Sequence, residues 1–307
     1  MLHLKIFFFT LLFLNTLFAD IITPLPQKAE YDKIKAELGK KLFFDPILSI
    51  DNTVSCASCH ILPGSGSDLT SYSKGVGGAI GGMNTPTVLN SMYNLSQFWD
   101  GRAKDLQEQA GGPIVNPVEM ASTKEHVLKV LNENKRYKKH FYIIYKEALK
   151  FSQVTEVLAE FEKALITPNA PFDNYLRGDT TALTDLEKKG YELFQNKGCI
   201  SCHNGINIGG SMYQKVGIFE KFIGRKGSLG RYNVTKDEDD RYTFKVPSLR
   251  NVALTAPYMH DGNISNLKDM ISKMGRLQLG QDIDEKEVDA IVAFLHTLTG
   301  QTPEILK

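Results

Sequence analysis

The sequence has little of several things that define common protein classes. It contains only four cysteines and one tryptophan in 307 residues, and its 36 basic residues nearly equal its 35 acidic ones. So small a charge excess gives no reason to expect a nucleic acid as a partner. Four cysteines are also too few for the dense disulfide framework found in many small exported proteins.

Long hydrophobic runs are missing except at the amino terminus. Lys5 precedes an almost wholly apolar run at 6–18, and Ala19 is a small residue suited to cleavage. The run is short for a transmembrane helix, so the pattern predicts a signal peptide, residues 1–19, cleaved on export to the periplasm. An uncleaved membrane anchor is the alternative, because Leu17 is larger than the residue usual at that place in a cleavage site.

The few cysteines lie in two segments that repeat. The first reads GKKLF at 39–43 and leads to CASCH at 56–60. The second reads GYELF at 190–194 and leads to CISCH at 199–203. One such unit in each half of the chain indicates an old duplication.

Regular structure in the sequence is mainly helical. Alternating strand patterns are scarce, and residues 242–246 are the best candidate. Ser122 with Glu125 and Thr184 with Glu187 have the spacing of capping boxes at helix starts. The predicted apolar helix faces comprise Tyr31, Ile34, Leu38 and Leu42 near the start, and Val288, Ile291, Val292, Leu295 and Leu298 near the end.

Two long segments, residues 61–100 and 204–265, are rich in Gly, Pro, Asn and Ser and are predicted loops. Long loops in compact domains often carry function. We therefore expect a mainly α fold of two domains, residues 20–168 and 169–307, with little β structure. The stretch 167–171 contains two prolines and is the expected linker.

Each cysteine motif has the form C-x-x-C-H, which is the attachment signature of c-type haem. Two cysteines at this spacing can form thioethers with the vinyl groups of a porphyrin, and the histidine that follows binds the iron. A redox dithiol or half of a zinc site would not need that histidine, twice. The sequence therefore predicts two covalent haems, with Cys56, Cys59, Cys199 and Cys202 as attachment points and His60 and His203 as proximal ligands.

The ligand on the other face of each iron decides the function. A methionine closes the haem and suits electron transfer, whereas an open face admits a small oxidant. His260 lies in a loop and is a candidate, whereas His126, His140 and His296 lie on predicted helices. Spacing alone does not choose among the methionines of the second half, which are Met212, Met259, Met270 and Met274.

Several ordered motifs run through the rest of the chain. In the first half they are NTPTVLN at 84–90, QFWDGR at 97–102 and GPI at 112–114. In the second half they are VPSLRN at 246–251 and TAPYMHDG at 255–262. Together they resemble the bacterial di-haem cytochrome c peroxidases over nearly the whole mature chain. The resemblance implies that each of the two domains is cytochrome c-like and binds one covalent haem.

The resemblance implies how the two haems differ. In the second domain, His203 and Met274 would be the axial ligands of an electron-accepting haem. In the first domain, His60 would hold the haem that reduces peroxide, with Gln109 and Glu119 in its pocket. A pocket carboxyl can move a proton between the two oxygens of a peroxide. Without the resemblance, Glu119 would be interpreted as a surface or capping acid.

The resemblance also implies two features at the junction of the domains. Trp99 would lie between the haems, although a core aromatic is the alternative interpretation. Asn84, with the backbone carbonyls of Thr255 and Pro257, would bind one calcium ion, a cation that prefers oxygen ligands. Members of the family are expected to form homodimers.

One position departs from the family pattern. Many members carry a distal histidine shortly before the asparagine of the NTPT motif, and here that position is Val76. Valine cannot ligate iron, so we expect the first haem to be open and ready without reductive activation. Tyr72, Lys74 or Met83 could take the place of the histidine if the glycine-rich loop folds inward.

The expected activity is the reduction of hydrogen peroxide to water. Electrons from a small reduced cytochrome c or a cupredoxin would enter at the His203/Met274 haem and pass by Trp99 to the His60 haem. One alternative is oxidation of a protein or organic substrate, as in the related enzyme that matures a tryptophan-derived quinone. That enzyme has tyrosine where Met274 stands, which argues against this alternative. Another is a di-haem electron carrier without catalysis, against which the expected peroxide pocket argues.

Overall fold

The structure, a computed structural model, describes residues 21–222 and 228–307. The predicted signal peptide, residues 1–19, lies outside the described residues. Within them, no helix combines the length and the apolar character that crossing a membrane requires.

The described part of the chain is mainly helical and has little strand, as expected. Two short strands, β1 (Tyr213–Lys215) and β2 (Thr243–Lys245), pair antiparallel. β2 lies within the predicted strand at 242–246, which confirms that prediction. The helices are α1 (Lys33–Phe44), α2 (Leu106–Val115), α3 (Lys124–Glu133), α4 (Lys135–Tyr145), α5 (Phe151–Lys163), α6 (Pro171–Leu176), α7 (Asp185–Asn196), α8 (Tyr232–Thr235), α9 (Leu267–Met274) and α10 (Glu285–His296).

The two repeated segments build the same helix crossing twice. Gly39 of α1 lies against α5, where a Cβ atom would come within 1.8 Å of the Val157 carbonyl oxygen. Gly190 of α7 lies against α10, where a Cβ atom would come within 1.9 Å of the Ala290 carbonyl oxygen. No other residue fits so close a backbone approach, which explains why both repeats begin with glycine.

Each crossing forms the centre of a hydrophobic core. Phe43 of the first repeat meets Phe161 of α5, with ring centroids 5.0 Å apart. Phe194 of the second repeat meets Phe294 of α10, with ring centroids 5.2 Å apart. Burying one large apolar side chain contributes roughly 1.5–3 kcal/mol. The repeated Leu-Phe pair thus anchors each cysteine motif to a packed helix pair.

The predicted helix starts agree with the structure at one cap and differ at the other. Thr184 and Glu187 form the expected capping box at the start of α7. At α3 the cap is Thr123, whose hydroxyl accepts a hydrogen bond from the His126 backbone N–H. The prediction of Ser122 was wrong, because that residue is buried and its backbone N–H donates to the end of α2 instead.

The predicted apolar faces are mostly buried. In α10 the stripe packs into the second core, and only Val292 is partly exposed. In α1, Leu38 and Leu42 are buried, but Ile34 is 69% exposed, so its inclusion in that face was wrong. Residues four apart drift by about 40° at each step because a turn holds 3.6 residues, and the first turn of α1 has rotated toward solvent.

The two ends of the described chain cross to opposite cores. Ile22 packs in the core around α7 and α10, and Ile305 packs in the core around α1 and α5. A buried ion pair holds the first of these segments: Arg250 lies 3.0 Å from Asp173 and also donates to the Thr23 carbonyl. The expected domain limits do not include this exchange of terminal segments, because local sequence carries no sign of it.

Candidate active site

The first cysteine motif is wound as a short turn. Residues Cys56–Ser58 form a 3₁₀ turn, and the His60 backbone N–H donates to the carbonyl of Cys56 at 2.9 Å. The His60 Nδ1 atom lies 2.9 Å from the Gly66 carbonyl oxygen. When Nδ1 carries the proton and donates to that oxygen, Nε2 keeps a free lone pair for a metal. Burial lowers the pKa of His60, which keeps its ring neutral.

The second motif repeats this turn of the backbone. Residues Cys199–Ser201 form a 3₁₀ turn, and the His203 backbone N–H donates to the carbonyl of Cys199 at 3.0 Å. Burial lowers the pKa of His203 to about 4, so its imidazole is neutral near pH 7. Each motif therefore presents two thiols and one neutral imidazole on a short stretch of backbone, the set that covalent haem attachment needs.

The first motif opens onto a cavity of about 590 Å³. Gln109 of α2 and Glu119, in the loop that follows α2, line the same cavity as His60. Apolar side chains cover other parts of the wall, among them Val88 and Ile114. A cavity with two thiols, a ligand nitrogen and apolar walls fits a covalently attached haem.

Glu119 is held in a defined position within that cavity. Its Oε1 atom accepts a hydrogen bond from Asn116 Nδ2 at 2.6 Å. Burial raises the pKa of the Glu119 carboxyl, whereas the Arg102 charge and the Asn116 hydrogen bond act in the opposite direction. Arg102 is fixed by Asp100, 3.0 Å away, and lies over the ring of Phe98. A carboxyl that holds its proton closer to neutral pH suits a general acid.

The second motif opens onto a smaller cavity of about 240 Å³. Of the four candidate methionines, Met259, Met270 and Met274 line it, whereas Met212 does not. Geometry therefore narrows the choice, and the assignment of Met274 as the axial ligand stays a prediction. Met274 ends α9 and is followed by a π-helical turn, Gly275–Leu279, a feature frequent at functional sites.

The two cavities share a wall. The stretch 84–87 and Trp99 line both of them. The indole Nε1 of Trp99 donates to the carbonyl of Asn84 at 2.8 Å. The Trp99 and His260 rings meet edge-on at 6.1 Å, and His260 stacks on Phe244 at 4.0 Å. Of these three rings, Trp99 thus lies on the shared wall, while His260 and Phe244 line the second cavity.

Comparison with known proteins shows to which family the sequence belongs. A family model described as di-haem cytochrome c peroxidase matches residues 33–181, and one described as cytochrome c matches residues 187–299. The chain is 47% identical over 284 residues to the cytochrome c551 peroxidase of Nitrosomonas europaea. The match covers 92% of this chain and 85% of that relative. The chain belongs to the di-haem cytochrome c peroxidase family.

Two further peroxidases support this membership. The cytochrome c551 peroxidase of Pseudomonas aeruginosa is 46% identical to the chain, with 88% of this chain and 80% of the relative covered. The cytochrome c peroxidase Ccp of Escherichia coli is 48% identical over 91% of this chain. The chain spans only 61% of the length of the Escherichia coli relative.

A solved structure agrees with the fold. A MauG-like protein associated with microbial copper homeostasis superposes with a TM-score of 0.81 at 25% identity, over 91% of this chain and 93% of that one. Together with the two family models, this confirms the predicted mainly α fold with two cytochrome c-type domains.

The three predicted calcium ligands of this peroxidase-family chain line the same cavity. Asn84, Thr255 and Pro257 all line the second cavity. The side-chain Nδ2 of Asn84 donates to the Thr70 carbonyl at 2.8 Å, which orients the amide. The Asn84 backbone N–H donates to the carbonyl of His260 at 2.9 Å. These contacts fix the position of Asn84, and the calcium ion itself stays a prediction.

The position where many family members have a distal histidine is filled by packing. Val76 contacts the first core, and its backbone N–H donates to the Glu119 carbonyl at 2.8 Å. Among the described residues that line the first cavity, His60 is the only histidine. Met83 also lines that cavity, whereas Tyr72 and Lys74, the other candidates to replace the distal histidine, do not.

Two buried ionisable residues line the cavities and were missed by the sequence analysis. Glu162 of α5 lines the first cavity and is 6% exposed, and Lys245 of β2 lines the second and is 7% exposed. Burial raises the pKa of Glu162 to about 8 and lowers that of Lys245 to about 8. A signal was available, because a charged residue within an apolar helix face or a buried strand is uncommon.

Proposed function

We propose that this protein is a peroxidase that reduces hydrogen peroxide to water with electrons from a small reduced cytochrome c or a cupredoxin. The observation that supports the proposal is that two cavities, each beside a C-x-x-C-H motif, are lined by different residues. His60 shares its cavity with Gln109 and Glu119, whereas His203 shares its cavity with Met274.

Each domain would hold one haem c by its own motif. Cys56, Cys59 and His60 serve the first domain, residues 20–168. Cys199, Cys202, His203 and Met274 serve the second domain, residues 169–307. When bound, the first haem supplies an iron open to peroxide, and the second supplies an iron that gains and loses single electrons.

Glu119 is assigned the proton transfer. Reduction of one hydrogen peroxide to two water molecules breaks the O–O bond and consumes two electrons and two protons. A carboxyl within reach can take a proton from one peroxide oxygen and return it to the other, so that the second oxygen leaves as water. The Asn116 hydrogen bond at 2.6 Å holds the Glu119 carboxyl in place for this task. Gln109, which lines the same cavity as Glu119, orients the peroxide by hydrogen bonding.

Trp99 is assigned the passage of electrons from the second cavity to the first. Its indole lines both cavities, and its Nε1 atom is fixed by the carbonyl of Asn84. A polarizable ring held rigidly on a shared wall offers a continuous bridge between two redox centres.

The alternative of substrate oxidation is less well supported. The methylamine utilization protein MauG of Methylophilus methylotrophus is 31% identical to the chain, against 47% for the Nitrosomonas europaea peroxidase. Met274, rather than a tyrosine, lines the second cavity. A pure electron carrier would not need Glu119 held in the first cavity.

Three further expectations belong to the proposal. The mature chain is exported to the periplasm after cleavage of residues 1–19. It binds one calcium ion through Asn84, Thr255 and Pro257, which is supported by their common place in the lining of the second cavity. It forms a homodimer, for which the support is the family resemblance.

Steady-state peroxide reduction tests the proposal. The holoprotein is assayed as isolated and after prereduction, with a reduced cytochrome c and with a cupredoxin as donors. We expect turnover without prereduction, and we expect Glu119→Gln to slow it by about a hundredfold to ten-thousandfold, the usual range for loss of a general acid. Glu125→Gln, an exposed acid at the start of α3, is the matched control and should keep the wild-type rate.

Two outcomes would contradict the proposal. Wild-type turnover by Glu119→Gln would remove Glu119 from the proton transfer. Absence of peroxide reduction with either donor, before and after prereduction, together with spectra showing both irons six-coordinate and low-spin, would make the protein an electron carrier.

A further inference from the structure

Lys245 occupies an unusual place for a lysine. Among residues 21–222 and 228–307 it is the one lysine that is buried, with 7% of its surface exposed. It ends β2, opposite Tyr213 of β1, and it lines the second cavity. Its backbone N–H donates to the Trp99 carbonyl at 2.8 Å. The residue therefore joins the second cavity to the wall that both cavities share.

The ammonium of Lys245 has no counter-ion within the described protein. No carboxylate there forms an ion pair or a hydrogen bond with it, and burial alone lowers its pKa, to about 8. The internal stretch at 223–227, which the structure does not describe, contains no acidic residue. Burying a cation without a partner costs several kcal/mol. The missing negative charge is thus expected from what the cavity holds.

A porphyrin of haem c carries two propionate carboxylates, which supply such a charge. We propose that the Lys245 ammonium pairs with a propionate of the haem in the second cavity and thereby tunes the reduction potential of that haem. The inference rests on the second haem of the proposed function but not on peroxide turnover. Lys245 is a positioning residue in this role, since it acts on the haem edge and not on the reacting atoms.

The sign of the effect follows from electrostatics. Reduction adds one electron to the haem, and a nearby positive charge stabilises the added negative charge. The ammonium also neutralises a propionate that would otherwise oppose reduction. Removing the Lys245 charge should therefore lower the reduction potential of the second haem and leave that of the first haem nearly unchanged.

Spectroelectrochemical titration of the holoprotein tests the pairing. The variants are Lys245→Met, which removes the charge, and Lys245→Arg, which keeps it. Lys215→Met is the matched control, because Lys215 is an exposed lysine on the neighbouring strand β1. At a fixed potential we expect Lys245→Met to raise the oxidised-to-reduced ratio of the second haem about tenfold, which corresponds to about 59 mV for one electron. Lys245→Arg should keep most of the wild-type potential, and Lys215→Met should leave it unchanged.

Several results would overturn the inference. They are an unchanged potential in Lys245→Met, equal shifts of both haems, or equal shifts in the Met and Arg variants, which would indicate altered packing rather than lost charge. Haem content is measured first. If Lys245→Met does not retain the second haem, Lys245→Gln replaces it in the same titration, and loss of that haem in all three variants would also overturn the pairing. Failure of the peroxidase assay would leave this result intact, because the potential is measured without peroxide.

Discussion

The two cavities are built alike as far as the proximal histidine and differ beyond it. Both have a glycine-centred helix crossing, a buried Phe pair and a C-x-x-C-H turn that ends on a neutral imidazole. In the rest of the lining, the first cavity has Glu119 and Gln109, whereas the second has Met259, Met270 and Met274. The duplicated halves therefore share the C-x-x-C-H motif that attaches a haem, whereas the other residues that line the two cavities differ.

The buried ionisable groups of the two cavities are also of opposite type. The first has the carboxyl of Glu162 and the second has the amine of Lys245, and for each the cause of the pKa shift is burial. A carboxyl that burial keeps protonated can store a proton, which would suit the proton consumption proposed for the first cavity. The proposed pairing of the Lys245 ammonium with a propionate would favour a reduced haem in the second cavity.

The largest expected effect comes from breaking what the two regions share. Gly39→Val would drive its Cβ atom into the Val157 carbonyl of α5, and Gly190→Val would do the same at Ala290 of α10. We expect each to lower the free energy of unfolding by at least about 3 kcal/mol, the upper end of overpacking costs. Thermal unfolding and haem content of the holoprotein measure the loss.

The control for this pair is Gly82→Ala. An added Cβ atom at Gly82 meets no atom within 4 Å, and its φ is not in the left-handed region. The variant should therefore unfold at the wild-type temperature. Equal stability of the Gly39→Val and Gly82→Ala proteins would show that the close crossing does not stabilise the fold.

The next largest effect is the pH dependence of stability that comes from the buried Glu162 carboxyl of the first cavity. Glu162 holds its proton up to about pH 8 in the folded protein, whereas an unfolded glutamate releases it near 4.5. The stabilisation that this proton contributes to the folded state is therefore fully present below about pH 4.5 and is lost as the pH rises toward 8. The loss is up to about 1.4 kcal/mol per pH unit in that window. Denaturant unfolding at several pH values should show a flatter profile in Glu162→Gln.

Glu133→Gln is the matched control, since Glu133 is an exposed acid that ends α3. Its profile should follow that of the wild type. Parallel profiles for wild type and Glu162→Gln would mean that the Glu162 carboxyl titrates as in the unfolded chain.

The smallest expected effect would make the first cavity resemble a closed one. Val76→His places an imidazole beside Gly75, which lines the first cavity. If one site in ten stays open, turnover as isolated falls about tenfold, and prereduction restores it. Ile80→His is the control, because Ile80 lies on the same loop with 57% of its surface exposed. Unchanged electron paramagnetic resonance spectra and rates in Val76→His would show that this loop cannot reach the iron.

Much of the attachment chemistry could be predicted from the sequence, because it depends on neighbours along the chain. Two cysteines and a histidine at fixed spacing determine a turn and a ligand set wherever they occur. The repeated G-x-x-L-F segment likewise lies near the end of an equivalent helix in each half of the chain, α1 and α7. The cap at Ser122 failed for the opposite reason, since a contact with α2 outweighed the local pattern.

The other residues that line the two cavities could not be predicted from local sequence patterns. Met259, Met270 and Met274 reach one cavity only because their loop and helix fold over the second motif. Glu119 is interpreted as a surface acid until packing places it beside His60, and only the family resemblance indicated its role beforehand.

The sequence by itself determined two haem attachment turns and a mainly helical chain, since each depends on residues close together along the backbone. Tertiary structure alone decided which helices cross, that the side chains of Glu162 and Lys245 are buried with no partner among the described residues, and that the terminal segments exchange cores. The place of Trp99 on both cavities was indicated beforehand only by the family resemblance. The physical reason is that burial and shared walls arise when distant segments pack, and no local spacing encodes which segments will meet.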